Sequence, residues 1–318
     1  MTTVHPRLSR FAWFVVAYNL AVILWGAWVR ISFSGAGCGS HWPTCGGELV
    51  PTAPTARTLI EYVHRLSSGV SLLLVLALVV WAFRALPRGH RGRRGAVWTA
   101  AFLLAEAALG AGLVLFGLVE NDDSVQRAFV IALHLVNTLA LTAFGALTAW
   151  WTAGGPPLRG LGAGTLRWGL LAMIAAFVLT GMTGAITALG DTLFPLSPTD
   201  GDSLIARIRG DLSPAVHFLV RLRIVHPALA ILLAVALGSL ATSMLSKRRP
   251  PGVRRQARLV LALTLLQVIA GFVTIALHAP ALLQLLHLLL AQLLWIALVL
   301  LFAEALAETA PPPLAPER

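Results

Sequence analysis

Four histidines stand inside long apolar stretches of the chain: His64, His134, His226 and His287. An ionisable side chain within a membrane span is costly to bury and by default serves a function. Each of the four lies about 6–12 residues from the same end of its stretch, a depth of roughly 9–18 Å at 1.5 Å per residue. Two imidazoles at one depth on two different helices can clamp a haem iron from both faces. The other use of such a residue is a hydrogen bond to a neighbouring helix. Recurrence of four histidines in a duplicated pattern favours ligation.

Other residues with chemistry cluster around the first of these histidines. Glu61 precedes His64 by three positions, so carboxylate and imidazole share a helix face. Glu61 could transfer a proton or stabilise a cation formed during oxidation; it could also be an acid favoured near a helix N-terminus by the macrodipole. Arg65 keeps its charge, and near the interface it suits a haem propionate or simply snorkels. In the second half the matching segment is Arg223-Ile224-Val225-His226-Pro227, with a base where the acid was. Arg30 and Arg223 join Arg65 as propionate candidates, because they stand at the depth where haem carboxylates would lie. The only cysteines, Cys38 and Cys45, follow the first apolar stretch and could form a redox or structural disulfide in an oxidising compartment. His217 lies nearer the surface than His226 and is a weaker ligand candidate.

Helices must position these groups, and the composition says they are membrane helices. Of 318 residues, 58% are hydrophobic and 12% charged, against about 25% charged in soluble domains. The mean hydropathy is +0.82. Eight stretches reach the roughly 20 apolar residues a spanning helix needs. They run near Arg10–Ile31, Thr58–Phe83, Ala96–Val119, Val125–Trp151, Leu166–Leu189, Pro214–Leu245, Leu259–Leu277 and Ala281–Ala305. The net charge of +11 collects in alternate loops, chiefly 84–94 and 247–258, while the opposite loops hold most acids, Asp191 among them. The positive-inside rule therefore places both termini in the cytoplasm and the chain in the cell membrane. The basic excess orients the helices and meets anionic lipid; it does not point to nucleic acid. The Pro-rich tail from Pro311 to Arg318 reads as disordered.

The chain also reads as one four-helix unit written twice, 1–155 and 156–318, divided by a Gly- and Pro-rich segment over 153–165. His64 matches His226 and His134 matches His287; Glu106 and Gly110 match Gln267 and Gly271, and Gly26 matches Gly184. Four helices return each unit to the same side, so the repeats are parallel. The fold class is an all-α polytopic membrane protein, with eight helices in two parallel four-helix bundles.

Gly26-Ala27-Trp28-Val29-Arg30, Gly37-Cys38, Trp42-Pro43-Thr44-Cys45, Glu61-Tyr62-Val63-His64-Arg65, His134-Leu135 and His287-Leu288 together resemble the haem A synthase family. The resemblance spans the chain and is most specific in the first half. It implies substrate haem O at His64 and His134, and a haem b cofactor at His226 and His287. It implies that Glu61 is the functional glutamate, that Cys38 and Cys45 are the external pair able to form a disulfide, and that a ring methyl is oxidised to a formyl group. Haem O synthase and the cytochrome oxidase assembly machinery are the partners it implies. Pro227 departs from the His-Arg pattern of the first half, which leaves Arg223 to substitute. The competing readings are a dihaem cytochrome b-like quinol oxidoreductase, which gives Glu61 and the cysteines no role, and a transporter with a midplane site.

Overall fold

A computed structural model describes residues 4–156, 158, 165–195, 204–246 and 249–307. The tail 311–318, most of the dividing segment, and Arg159, Asp200, Asp202, Lys247 and Arg248 lie outside the described residues. Among the described residues, eight helices are long and apolar enough to cross a membrane. They are α1 (Pro6–Ile31), α2 (Ala56–Ala85), α3 (Arg91–Leu115), α4 (Val125–Thr152), α5 (Thr165–Leu193), α8 (Val225–Met244, extended back to Phe218), α9 (Pro251–Ala276) and α10 (Ala281–Ala305). Short helices α6 (Leu204–Asp211) and α7 (Phe218–Arg221) precede α8.

Helix ends differ from the sequence expectation in ways the residues explain. Helices α1, α3 and α9 begin four to eight residues early, because the apolar stretch marks the hydrocarbon and the helix continues into the arginine-rich layer. Pro6 and Pro251 occupy first-turn positions where the missing N–H costs nothing. Helix α3 stops at Leu115, short of Val119: Gly117 adopts φ 68°, and Leu118 N–H returns to the Leu113 carbonyl. The sixth span is not one helix from Pro214; α7 leads through a 3₁₀ turn (Leu222–Ile224) into α8, immediately before His226. Asp191 is not a loop acid but lies in the last turn of α5.

The two halves share one pattern of neighbours. In the first, α1 packs on α2 and α4, α2 on α3, and α3 on α4; in the second, α5 packs on α8 and α10, α8 on α9, and α9 on α10. The halves meet where α4 touches α5 and α10, and where α1 touches α10. Helices α4 and α10 are the central pair: 50% of each span is buried, against 11–28% in the other six.

Packing is uneven along the helices. In the first half the core is Leu8, Ala12, Val15, Val75, Leu78, Ala82, Ala96, Leu103, Leu141 and Ala149, all toward the arginine-rich side. In the second, Leu237, Ala241, Met244, Val253, Ala257, Val260, Leu298 and Leu301 pack at the same level. Toward the cysteine-loop side Ala128, Leu189 and Leu219 form a smaller cluster, and Val63, Leu66, Leu133 and Leu286 are exposed beside the histidines.

Candidate functional site

Every one of the four histidines packs against a glycine on the neighbouring helix. A methyl group added to Gly26 would lie 2.9 Å from His64 Cε1, and one on Gly184 would lie 2.8 Å from His226 Cε1. The corresponding approaches are 3.8 Å from Gly110 to His134 Nε2 and 3.2 Å from Gly271 to His287 Cε1. In α1 and α5 these distances leave no room for a side chain, so glycine is required for the ring to lie flat on the facing backbone. The repeat of Gly26 with Gly184 and Gly110 with Gly271, seen in the sequence as spacing, is in three dimensions a repeat of imidazole seats.

The rings are held differently. His134 Nδ1 lies 2.9 Å from Glu106 Oε1. Glu106 is itself fixed by Thr138 Oγ1 donating to Oε1 and Asn137 Nδ2 donating to Oε2, both at 2.5 Å. A carboxylate on Nδ1 sets the tautomer and leaves Nε2 free to ligate a metal. His226 Nδ1 lies 3.1 Å from the Thr180 carbonyl, which likewise leaves Nε2. His64 Nδ1 and His287 Nδ1 are buried without a hydrogen-bond partner among the described residues. His287 Nε2 instead meets Gln267 Nε2 at 3.1 Å.

These features fit a haem between the two histidines of the second half. The centroids of His226 and His287 are 6.3 Å apart with the ring planes at 89°. Imidazole–metal bonds are about 2 Å and the ring centre lies about 1 Å further, so two rings sharing one ion stand roughly 6 Å apart. Buried nitrogens without partners among the described residues and close-packed glycines suit a ligand held by the rings.

Glu61 and Arg65 bind the cysteine loop to α2. Glu61 is 3% exposed; its Oε2 accepts from Cys38 N–H at 2.8 Å, and its Oε1 pairs with Arg65 Nη2 at 2.5 Å. Arg65 Nη1 donates to the His41 and Thr44 carbonyls at 2.6 and 2.5 Å. Cys38 and Cys45 form a disulfide. Gly37 admits no side chain, because a Cβ would stand 2.5 Å from the Arg57 carbonyl at the start of α2. The loop is therefore clamped to the first turns of α2.

Of the remaining two arginines, Arg30 crosses between the halves and Arg223 binds within the second. Arg30, on α1, donates to the Ala188 carbonyl and to Thr192 Oγ1 (2.6 Å) on α5. Arg223 pairs with Asp191 at 2.9 Å and donates to the Gly190 and Phe194 carbonyls. Arg30, Arg65 and Arg223 thus all have protein partners, and no two of them are brought together around one histidine. His217 stacks on Phe194 and lies 3.4 Å from Asp123, away from the ring pair. Glu106, Asn137 and Thr138 carry part of the site and were not singled out as site residues from sequence. The available signals were an acid inside an apolar span, and an Asn-Thr pair one turn after His134 on the same face.

Fold and site define a multi-pass helical membrane protein with two pairs of intramembrane histidines. A profile of the cytochrome oxidase assembly protein family matches residues 9–299. A Protoheme IX farnesyltransferase of Thermus thermophilus is 45% identical over 97% of this chain and 50% of its own length. A Heme A synthase of an Exiguobacterium species is 35% identical over 45% of this chain and 44% of its own; one of Halalkalibacterium halodurans is 34% identical over 45% and 46%. The chain thus spans about half the length of its first relatives. It belongs to the haem A synthase family.

Proposed function

We propose that the chain is a haem A synthase that oxidises the methyl group of haem O to a formyl group. The half 1–155 takes haem O between His64 and His134, and the half 156–318 holds haem b between His226 and His287. The observation that carries this reading is the fourfold contact of an imidazole with a helical glycine, repeated in both halves. Bound haem b supplies one-electron redox chemistry. The protein's own residues do the rest. Glycines 26, 110, 184 and 271 set the ring positions. Glu106 fixes the His134 tautomer. Glu61 and Arg65 hold the disulfide loop over the substrate end, where Glu61 is placed to take a proton released by oxidation. Arg30, Arg65 and Arg223 would be the cations that meet the haem propionates. The chain lies in the cell membrane with both termini cytoplasmic, and receives haem O from a haem O synthase.

The prenyl-transfer name of the Thermus relative belongs to a protein of which this chain covers half. One experiment separates the readings. The protein is purified from cells supplied with haem O, and its pigments are extracted and identified. Haem A together with haem B supports the synthase. Two equivalents of haem B without haem A would make the protein an electron-transfer cytochrome, and no haem would leave the transporter. Formation of haem O from haem B and a farnesyl donor by the purified chain would instead favour prenyl transfer.

A further inference from the structure

The two histidines on the central helices carry different second partners. His134 on α4 faces the carboxylate of Glu106 on α3, 2.9 Å from Nδ1. His287, its counterpart on α10, faces the neutral amide of Gln267 on α9, 3.1 Å from Nε2. The difference extends beyond one residue. Glu106 is steadied by Asn137 and Thr138, three and four residues after His134. The positions three and four after His287 are Leu290 and Ala291, which donate nothing from their side chains. One half therefore has a carboxylate with two donors built to keep it in place. The other has an amide in an apolar setting, with its Oε1 buried and unpartnered among the described residues.

We propose that Glu106 is a positioning residue that makes His134 the more strongly donating ligand. Iron held by the first half then has a lower reduction potential than iron held by the second. The inference rests on the two-haem reading above. A carboxylate accepting from Nδ1–H pushes electron density onto Nε2 and raises ligand basicity. Such a ligand stabilises ferric over ferrous iron, and hydrogen bonding and charge near the axial ligand are established levers on haem potential. An amide cannot supply the negative charge. The arrangement orders the two sites energetically, with the lower potential in the first half.

The test uses the full chain with haem b as the probe in both halves, purified as wild type, E106Q and Q267E/L290N/A291T. Glutamine at 106 is nearly isosteric and can still accept from His134 Nδ1, so E106Q removes charge and retains shape. Optical redox titration should resolve two b-type centres in the wild type. E106Q should raise the lower potential and leave the higher one in place. The triple variant should lower the higher potential and leave the lower one. Two bound haems with both potentials unmoved in E106Q would overturn the proposal, as would a downward shift. If E106Q loses its first-half haem, the triple variant decides, and an unmoved second potential sinks the idea. A pigment count showing fewer than two haems in the wild type overturns the two-site reading itself, and is recognised before any titration.

Discussion

The first and second four-helix bundles present the same shape with different charge. Each has two half-buried imidazoles, each ring seated on a glycine of the adjacent helix, and each bundle has an apolar core toward the arginine-rich side. The charged residues around that scaffold do not repeat. Three positions before the first histidine stands Glu61 in one half and Arg223 in the other. Glu61 ties α2 to the disulfide loop, whereas Arg223 ties α8 to α5 through Asp191. Glu106 faces Gln267 across the repeat. Under the proposed function the shared shape fits a flat ligand in both halves, and the charged groups distinguish the substrate half from the half that holds a cofactor. The contrast locates functional difference in four or five polar side chains against a common apolar frame.

Breaking either buried ion pair should give the largest effects. Removing one member of a buried pair costs about 3–5 kcal/mol, because the other charge is left without compensation. Glu61→Ala strands Arg65 and removes the acceptor of Cys38 N–H. It should lower the thermal midpoint, make the Cys38–Cys45 disulfide more accessible to an added reductant, and stop haem A formation while the second half keeps its haem. Asp191→Ala strands Arg223 and should destabilise the protein to a similar degree, yet leave disulfide reactivity as in the wild type. Equal disulfide reactivity in E61A and wild type would remove the loop-clamping role of Glu61.

The glycine seats test the shared shape. Overpacking a filled contact costs about 1–3 kcal/mol. Gly26→Val should displace His64 and reduce haem occupancy in the first half by about tenfold for each 1.4 kcal/mol lost. Gly184→Val should do the same to His226 and the second half. Haem content and spectrum of the two variants should therefore be complementary. Loss of the same haem in both would show that the halves are not independent ligand sites.

How much of this was legible in the sequence depends on the distance over which each feature is set. Apolar runs are local, so all eight spans could be found, and the spacing of His64, His134, His226 and His287 showed their common depth. Helix ends were less legible, because α1, α3 and α9 carry arginines into the headgroup layer that no apolar run records. Partner choice was least legible. Arg30 bonds α5 across more than 150 residues, and Asp191 meets Arg223 only because α5 extends a turn further than its apolar core. Glu106 was visible as a repeat marker, but its hold on His134 depends on the packing of α3 against α4, which sequence spacing does not give.

The seam between the bundles gives the smallest predicted effect and bears on whether the comparison is between two sites or two domains. Trp295 Nε1 on α10 donates to the Leu139 carbonyl on α4 at 2.7 Å, and Thr142 Oγ1 donates to Gln292 Oε1 at 3.2 Å. These bonds link the two most buried helices, which are counterparts in the repeat. Trp295→Phe removes one donor while keeping most of the ring's packing against Phe177, so it should cost about 1 kcal/mol. If the halves fold as one unit, that loss appears as a small shift of a single unfolding transition, and both haems are released together. If they are separable, the same substitution leaves each half's midpoint nearly unchanged and splits the release of the two pigments. A single shifted transition would mean that charge diverged between the halves while the seam kept them one cooperative body, so electron transfer between the sites needs no docking step.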